Sequence, residues 1–565
     1  MNISSIFYYF AIILLLSTQL GCGGSSEHEN PRYQRKENEF WAANTQTKKY
    51  YILTAPVSKE GQYCIIHIEE SCRSLIDDST VDNIISEFDN SIYPLIKTKF
   101  GDESDIDGNG KTIILILDIK DDYSGSGSYI AGYFDSSNTF VNSDYNPHSN
   151  ECDMIYLDCN PGIPGTSDFL ITAAHEFQHL INFAHNGMTN GKIQDTWINE
   201  GLSSAAEYLY SGSHITKRLN YYNIFQDNDS SGNNFYKWGN ELIDYSTVYL
   251  FFQWLRIQSS DGDIIYKDIL NSSYTDYRAV TEQIEKHIPY YNGIPINSTS
   301  WTNIMINWLI ANQINKSNGI LGYKGNITGL SQMQSKSGST NLNPFEAVIR
   351  SNNGYYYPSE SGSNIIYRGI SSDGTIASTS APYYGDFILA INTNPFIKGN
   401  TEKAEMPYSI SPLKNASAKP HSQNQLSKQE LFSELREQKT ALIIFKMKTA
   451  KKTTMIKFSI AIIYFLLFFS GFSACTSGKP EMIYKDGEKI SVTGTLMIVG
   501  NEPMTKIVIT TKDLQIYLPD EIRDTHKNFI GETISVEGTI KAQLIETADH
   551  KHSFYQYLMD KPEFK

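Results

Sequence analysis

Positive charge is in short supply in this sequence. Against 62 Asp and Glu there are 47 Lys and Arg, which leaves a formal net charge of −15 and a pI near 5.3. Nucleic-acid affinity rests on Lys and Arg neutralising phosphates, so nucleic acid is not an expected partner. Cysteine is also sparse, with six in 565 residues. No fixed-period repeat of solenoid type is present. What the chain does have is 40% hydrophobic residues over a length that suits about two to four domains. It also has 37 Tyr, 27 Phe and many Asn, Ser and Gly, a composition suited to β-rich surfaces with polar turns.

The apolar run 6–16 is too short to cross a membrane comfortably and has the length of a signal-peptide core. Export is the natural expectation, and Gln19-Leu20-Gly21-Cys22 is similar to a bacterial lipobox, whose cysteine carries a lipid anchor. The first five residues lack Lys and Arg, and Gln19 stands where that pattern prefers an aliphatic side chain. A second such signal lies inside the chain. Lys451, Lys452 and Lys457 surround Met455, the apolar run 458–469 follows, and Phe472-Ser473-Ala474-Cys475 ends it like another lipobox. An internal transmembrane segment is the other reading, but basic residues ahead of an apolar segment stay cytoplasmic, which conflicts with a first signal that has already exported the chain. Two adjacent reading frames joined together, the second starting at Met455, would explain the pair.

The expected organisation is a signal at 1–22, a large domain at 30–395, a polar linker or junction at 396–454, a second signal or transmembrane segment at 455–475 and a small domain at 476–565. Cys64, Cys72, Cys152 and Cys159 lie within the large domain. In an exported protein four cysteines suggest two disulfides, and close spacing favours Cys64 with Cys72 and Cys152 with Cys159 among three possible pairings.

The chemistry concentrates after residue 166. Thr166-Ser167-Asp168 offers helix caps, Phe169, Ala173, Phe177, Leu180 and Ala184 recur at helical spacing, and Asn186-Gly187 supplies a stop. On this helix His175-Glu176-Phe177-Gln178-His179 puts two imidazoles at i and i+4 on one face with a carboxylate beside them. Zinc needs such neutral nitrogen donors, a third protein ligand and one position for water. The ion would acidify that water, and Glu176 would take its proton. A second helix is expected from Asp195 or Thr196 onward, with Glu200 twenty intervening residues after His179. Glu200 and Glu207, seven apart, share its face. Glu200 could then reach the metal while Glu207 accepts a hydrogen bond from the outer nitrogen of a ligating histidine.

His175-Glu-Phe-Gln-His179 followed by Trp197-Ile-Asn-Glu200-Gly-Leu-Ser resembles the gluzincin clan of zinc metallopeptidases, and most closely its hyicolysin-type bacterial members, over roughly residues 40–350. The resemblance implies a zincin-like α+β domain, zinc held by His175, His179 and Glu200, Glu176 as the base and Glu207 behind the ligands. Tyr245, in Asp244-Tyr245-Ser246-Thr247-Val248-Tyr249, matches the tyrosine that stabilises the oxyanion in aminopeptidase-N-like enzymes, with Tyr249 as the fallback. The Gly-Ala-Met-Glu-Asn-like strand of an aminopeptidase is absent, which favours an endopeptidase.

His185 offers a rival third ligand at metzincin spacing, with Asn182 in place of the usual glycine. No Met-turn follows, since Met188 is too close and Met305 lies in a core-like stretch. Asp105-Ile-Asp107-Gly-Asn109-Gly110 begins like a calcium loop, but Ile116 stands where the closing Glu should be, so a tight polar turn is expected there. Gly125–Ser128 lacks the lysine and helix of a phosphate cradle. In the small domain, strands are expected at 489–493, 505–511, 514–518, 533–537 and 539–544, and Val492-Thr-Gly-Thr-Leu496 echoes Val536-Glu-Gly-Thr-Ile540. A small all-β barrel of OB type is expected.

Taken together, the sequence predicts a secreted or lipid-anchored zinc endopeptidase of the bacterial cell envelope, acting on protein or peptide substrates and held to a membrane through Cys22. The alternatives are a surface binding or adhesion lipoprotein on an inactive peptidase scaffold, and a metzincin-type protease using His185.

Overall fold

The computed structural model describes residues 36–393 and 480–565, apart from 126, 229–234, 289, 292–293, 296–300, 336–339, 353–359, 363 and 377–383. Both expected signals, Cys22, Met455, Cys475 and the 396–454 linker lie outside the described residues. Among the described residues no helix is long and apolar enough to cross a membrane.

Two short strands, β1 (Glu39–Asn44) and β2 (Lys49–Thr54), pair antiparallel ahead of the main sheet. That sheet contains β3 (Val57–Glu60), β4 (Cys64–Ile68), β5 (Thr112–Leu117), β6 (Gly132–Tyr133) and β7 (Met154–Asp158) in the order β3-β4-β5-β7-β6. The central pairs β4-β5 and β5-β7 are parallel, and both edge strands are antiparallel to their neighbours. Every residue of β5 is buried, as expected of a parallel strand covered on both faces and written as an unbroken apolar run. Helices α1 (Asp78–Glu87) and α2 (Tyr93–Phe100) lie between β4 and β5 in the chain. The turn before β5 is polar and self-bonded: Gly110 N donates to Asp105 Oδ1 at 2.8 Å, and Asn109 Nδ2 to Asp107 Oδ2 at 2.7 Å.

Helices dominate the next stretch: α3 (Ser167–His185), α4 (Thr196–Ser211), α5 (Thr216–Asn228), α6 (Leu242–Gln258), α7 (Ile264–Leu270), α8 (Tyr277–His287) and α9 (Trp301–Ile314). Trp197, Phe251, Phe252, Trp254 and Trp308 are buried among them. A three-stranded antiparallel sheet follows, built from β8 (Ala347–Ser351), β9 (Ile365–Ile370) and β10 (Phe387–Asn392) with β10 in the middle.

The C-terminal strands β11 (Lys489–Val499), β12 (Lys506–Thr510), β13 (Gln515–Tyr517), β14 (Thr533–Glu546) and β15 (Ser553–Phe564) close into a barrel in the order β11-β12-β13-β15-β14. Two expected strands, 533–537 and 539–544, are one continuous strand, and β15 was not foreseen. A register shift between Glu537 and Thr539 explains the first difference. Gly538 sits at that irregularity, where a Cβ would be 2.5 Å from Met559 Cγ, and Gly494 on β11 similarly faces Thr510 O. The two echoing glycine motifs therefore mark close backbone approaches on paired strands.

The cysteine pairing departs from expectation. Cys72 is bonded to Cys159 with Cα atoms 6.8 Å apart, while Cys64 and Cys152 remain buried thiols. Parallel order gives the reason. Cys72 and Cys159 both follow the C-terminal ends of parallel strands, β4 and β7, and so meet at one edge of the sheet. Cys64 and Cys152 sit near the start of those strands, at the opposite edge.

The described residues up to 393 and those from Met482 onward belong to one compact unit.

Candidate metal centre

Thr166 starts α3, its Oγ1 accepting from Phe169 N at 3.4 Å. The helix packs on the edge of the main sheet, where a Cβ on Gly132 would stand 2.8 Å from Thr172 Cγ2. Helix α4 crosses it and ends at Gly212, whose φ of +66° suits a left-handed cap. On its other side α4 packs against α6 through Gly201, where an added Cβ would fall within the ring of Phe252. Gly201→Ala, next to Glu200, is therefore expected to cost about 1–3 kcal/mol by overpacking. Denaturant unfolding monitored by tryptophan fluorescence measures it, and an unchanged midpoint would contradict the packing described.

These helices bring His175, His179 and Glu200 together, all buried, with ligand atoms within 4.8 Å of one another. Glu200 Oε2 lies 3.2 Å from His175 Nε2 and 3.6 Å from His179 Nε2. The outer ring nitrogens are already committed. His175 Nδ1 donates to Glu207 Oε1 at 2.8 Å, and His179 Nδ1 lies 2.9 Å from both Asn199 Oδ1 and Ser203 Oγ. Each Nε2 is thereby left as an acceptor, so three acceptors converge on one buried point.

Something positive must join them. With protons alone, burial disfavours a charged His175, yet its hydrogen bonds to Glu200 and Glu207 outweigh burial and push the ring up to about 10. A zinc ion with bonds of about 2.0–2.1 Å to nitrogen has a tetrahedral edge of about 3.3 Å, close to the observed separations. Among the described residues His179 Nε2 and Glu176 Oε2 are buried without a hydrogen-bond partner, as expected if one faces a cation and the other a reacting water. The donor set thus fits zinc.

Burial raises the Glu176 carboxyl, and the repulsion of Glu200 and Glu207 adds to this against the pull of His175 and His179, leaving it at about 7. Burial would raise Glu200 as well, but His179 and His175 hold it well below the usual carboxylate range. Glu207 is held at about 2, where Arg218 and His175 overcome burial.

Tyr245 stands on the first turn of α6, where Glu241 and Asp244 form a capping box. Its ring meets Trp238 edge-on at 4.9 Å and carries the Arg218 guanidinium at 5.0 Å, and its hydroxyl donates to Asn240 Oδ1 at 3.2 Å. Burial and the charges of Glu200 and Glu502 keep the phenol protonated, so it remains a donor. Tyr249, the fallback, is committed elsewhere: its hydroxyl accepts from Ile215 N at 3.1 Å and pairs with His214 Nδ1 at 2.9 Å. His185, the rival ligand, packs its Nε2 against Gly101 and is not in the donor group.

Sequence reasoning missed Asn199, Ser203 and Arg218. Asn199 and Ser203, at i and i+4 on the helix that carries Glu200, could have been found from their shared face. Arg218 sits on α5, with Nη2 2.6 Å from Glu207 Oε1, and carries no local signal. Because Glu207 fixes the proton on His175, Glu207→Gln is expected to weaken zinc binding about ten- to a hundredfold. Competition with a chromogenic chelator measures this, and an unchanged affinity would contradict the role.

No family model matches the chain. The neutral metalloprotease ShpI of Staphylococcus hyicus is 32% identical over 322 residues, which cover 54% of this chain and 70% of that protein.

Proposed function

The chain belongs to the metallopeptidase family represented by the Staphylococcus hyicus neutral metalloprotease, and from that premise we propose that it is a zinc-dependent endopeptidase of the hyicolysin-like gluzincin type. The observation that carries this reading is the convergence of His175 Nε2, His179 Nε2 and Glu200 Oε2 beside the unpartnered carboxyl oxygen of Glu176. His175, His179 and Glu200 would hold the metal. Bound there, zinc supplies Lewis acidity toward the peptide carbonyl and lowers the pKa of the attacking water.

The remaining steps fall to side chains of this chain. Glu176, beside the donor group but not part of it, takes the proton of the water and returns it to the leaving amine. Tyr245, on the Arg218 side of the site, exchanges its hydrogen bond to Asn240 Oδ1 for one to the developing oxyanion. Glu207, Asn199 and Ser203 hold the two imidazoles in the tautomer that leaves Nε2 free for the ion. The lipobox-like Gln19–Cys22 supports export and anchoring through Cys22.

Residues 30–395 contain every side chain given a role in the chemistry above. Purified, they are expected to carry one zinc per chain and to cleave casein, with activity lost to a zinc chelator and restored by zinc. A protein that takes up no zinc, or holds zinc and leaves casein intact, would overturn the reading.

A further inference from the structure

The mouth of this site is not open to water alone. The β11-β12 connection, residues 500–505, reaches it from the barrel. Glu502 donates its backbone N–H to Glu200 Oε1 at 2.9 Å, so the second oxygen of the candidate ligand is occupied by the barrel. The Glu502 side chain accepts from Trp238 Nε1 at 3.1 Å and Arg523 Nη2 at 3.0 Å, and Trp238 is the residue that packs on Tyr245.

The loop is tied down at both ends. Asn501, buried, donates to Phe134 O at 2.8 Å, just beyond edge strand β6. Gly500 N donates to Gln194 O at 3.1 Å and Val499 pairs antiparallel with Asp195, the residue that leads into α4. Gln515 binds both backbone groups of Ile193, accepting from its N at 2.9 Å and donating to its O at 2.8 Å. Met497, Val499, Val508 and Tyr517 of the barrel enter the same buried cluster as Trp197 and Ile198. A second patch adds Val141 N to Glu546 O and Ala548 N to Thr139 O, both 2.9 Å, with Phe554 against Phe140.

The chain at 500–504 is a turn that spans from the Phe134 carbonyl, just beyond edge strand β6, to the lead of α4, and it passes beside Glu200. Here the barrel fills that place and presents an N–H, not a scissile carbonyl, to Glu200. We propose that the C-terminal barrel is a built-in inhibitor of the metal site, its 500–505 loop standing where a substrate peptide would lie. The proposal rests on the peptidase reading and adds its regulation. Because the barrel and the metal site belong to one chain, docking is intramolecular and is set by effective concentration. Release of the barrel is then the activating step.

The test uses the full chain, zinc-loaded, beside the isosteric double variant Asn501→Asp/Gln515→Glu, which turns two interface donors into acceptors facing carbonyl oxygens. Three quantities are read: cleavage of a short fluorogenic peptide, the rate at which a chromogenic chelator captures the zinc, and hydrogen exchange at the Gly500 and Glu502 amides. The parent is expected to protect those amides, and the double variant to lose the protection while cleavage and zinc capture rise at least tenfold. Unprotected amides in the parent overturn the proposal. So does equal, measurable cleavage by the two chains once the variant's amides exchange freely, and so does a variant that stays protected. Exchange and zinc capture report docking whether or not peptide is cut, whereas failure of the peptidase reading shows as a full chain that takes up no zinc, or as no cleavage by either chain once the variant's amides have lost protection.

Discussion

Glu176→Gln in residues 30–395 is expected to lower kcat/KM on casein-derived peptides by roughly a thousandfold while the zinc stays bound. A positioned general base contributes about 10²–10⁴ to rate, and a thousandfold is about 4 kcal/mol of transition-state free energy. Retention of the metal follows from geometry, since Glu176 is outside the donor group of His175, His179 and Glu200. Stability should survive as well. The buried Oε2 has no partner to lose among the described residues, and an amide removes a carboxyl that burial already pushes up to about 7. Zinc content, circular dichroism and kcat/KM measured together decide the matter. A variant that cleaves like the parent removes Glu176 from the chemistry, and one that loses its zinc assigns it to the metal instead.

Glu200→Gln should act on the other half of the mechanism by releasing the metal. Its carboxylate is the one anion among the three donors, and His179 and His175 hold it ionised against the cost of burial. Loss of an outer partner weakens a metal site about ten- to a hundredfold. Loss of a charged ligand should exceed that, so zinc affinity is expected to fall by more than about a hundredfold and cleavage with it. His185→Gln is the matched control and should leave both unchanged, because His185 packs against Gly101 away from the donors. The reverse pattern would move the third ligand to His185 and the fold to a metzincin-like site.

What could be read from the residues was what is local. The 3.6-residue period from Phe169 to Ala184, with a cap before it and Asn186-Gly187 after it, marks the helix Ser167–His185, and a helix fixes which side chains share a face. His175, His179, Glu200 and Glu207 could be aligned for the same reason. What joins distant parts of the chain was not legible. The Cys72–Cys159 bond depends on β5 lying between β4 and β7, an order that cysteine spacing does not encode. Strand β15 alternates weakly, and Asp560, Lys561, Pro562 and Glu563 near its end read as loop. It exists because β14 and β13 supply partners on both sides. Arg218 and the Glu502 loop reach the site from elements with no motif of their own. Their contacts come from packing, which sequence periodicity does not carry.

The most direct measurement is anomalous diffraction at the zinc edge from crystals of the metal-loaded protein. The account predicts a peak within about 2.0–2.2 Å of His175 Nε2, His179 Nε2 and a Glu200 carboxylate oxygen, with Glu176 close by but not bound. A peak ligated by His185, or one lying away from α3 and α4, would contradict it.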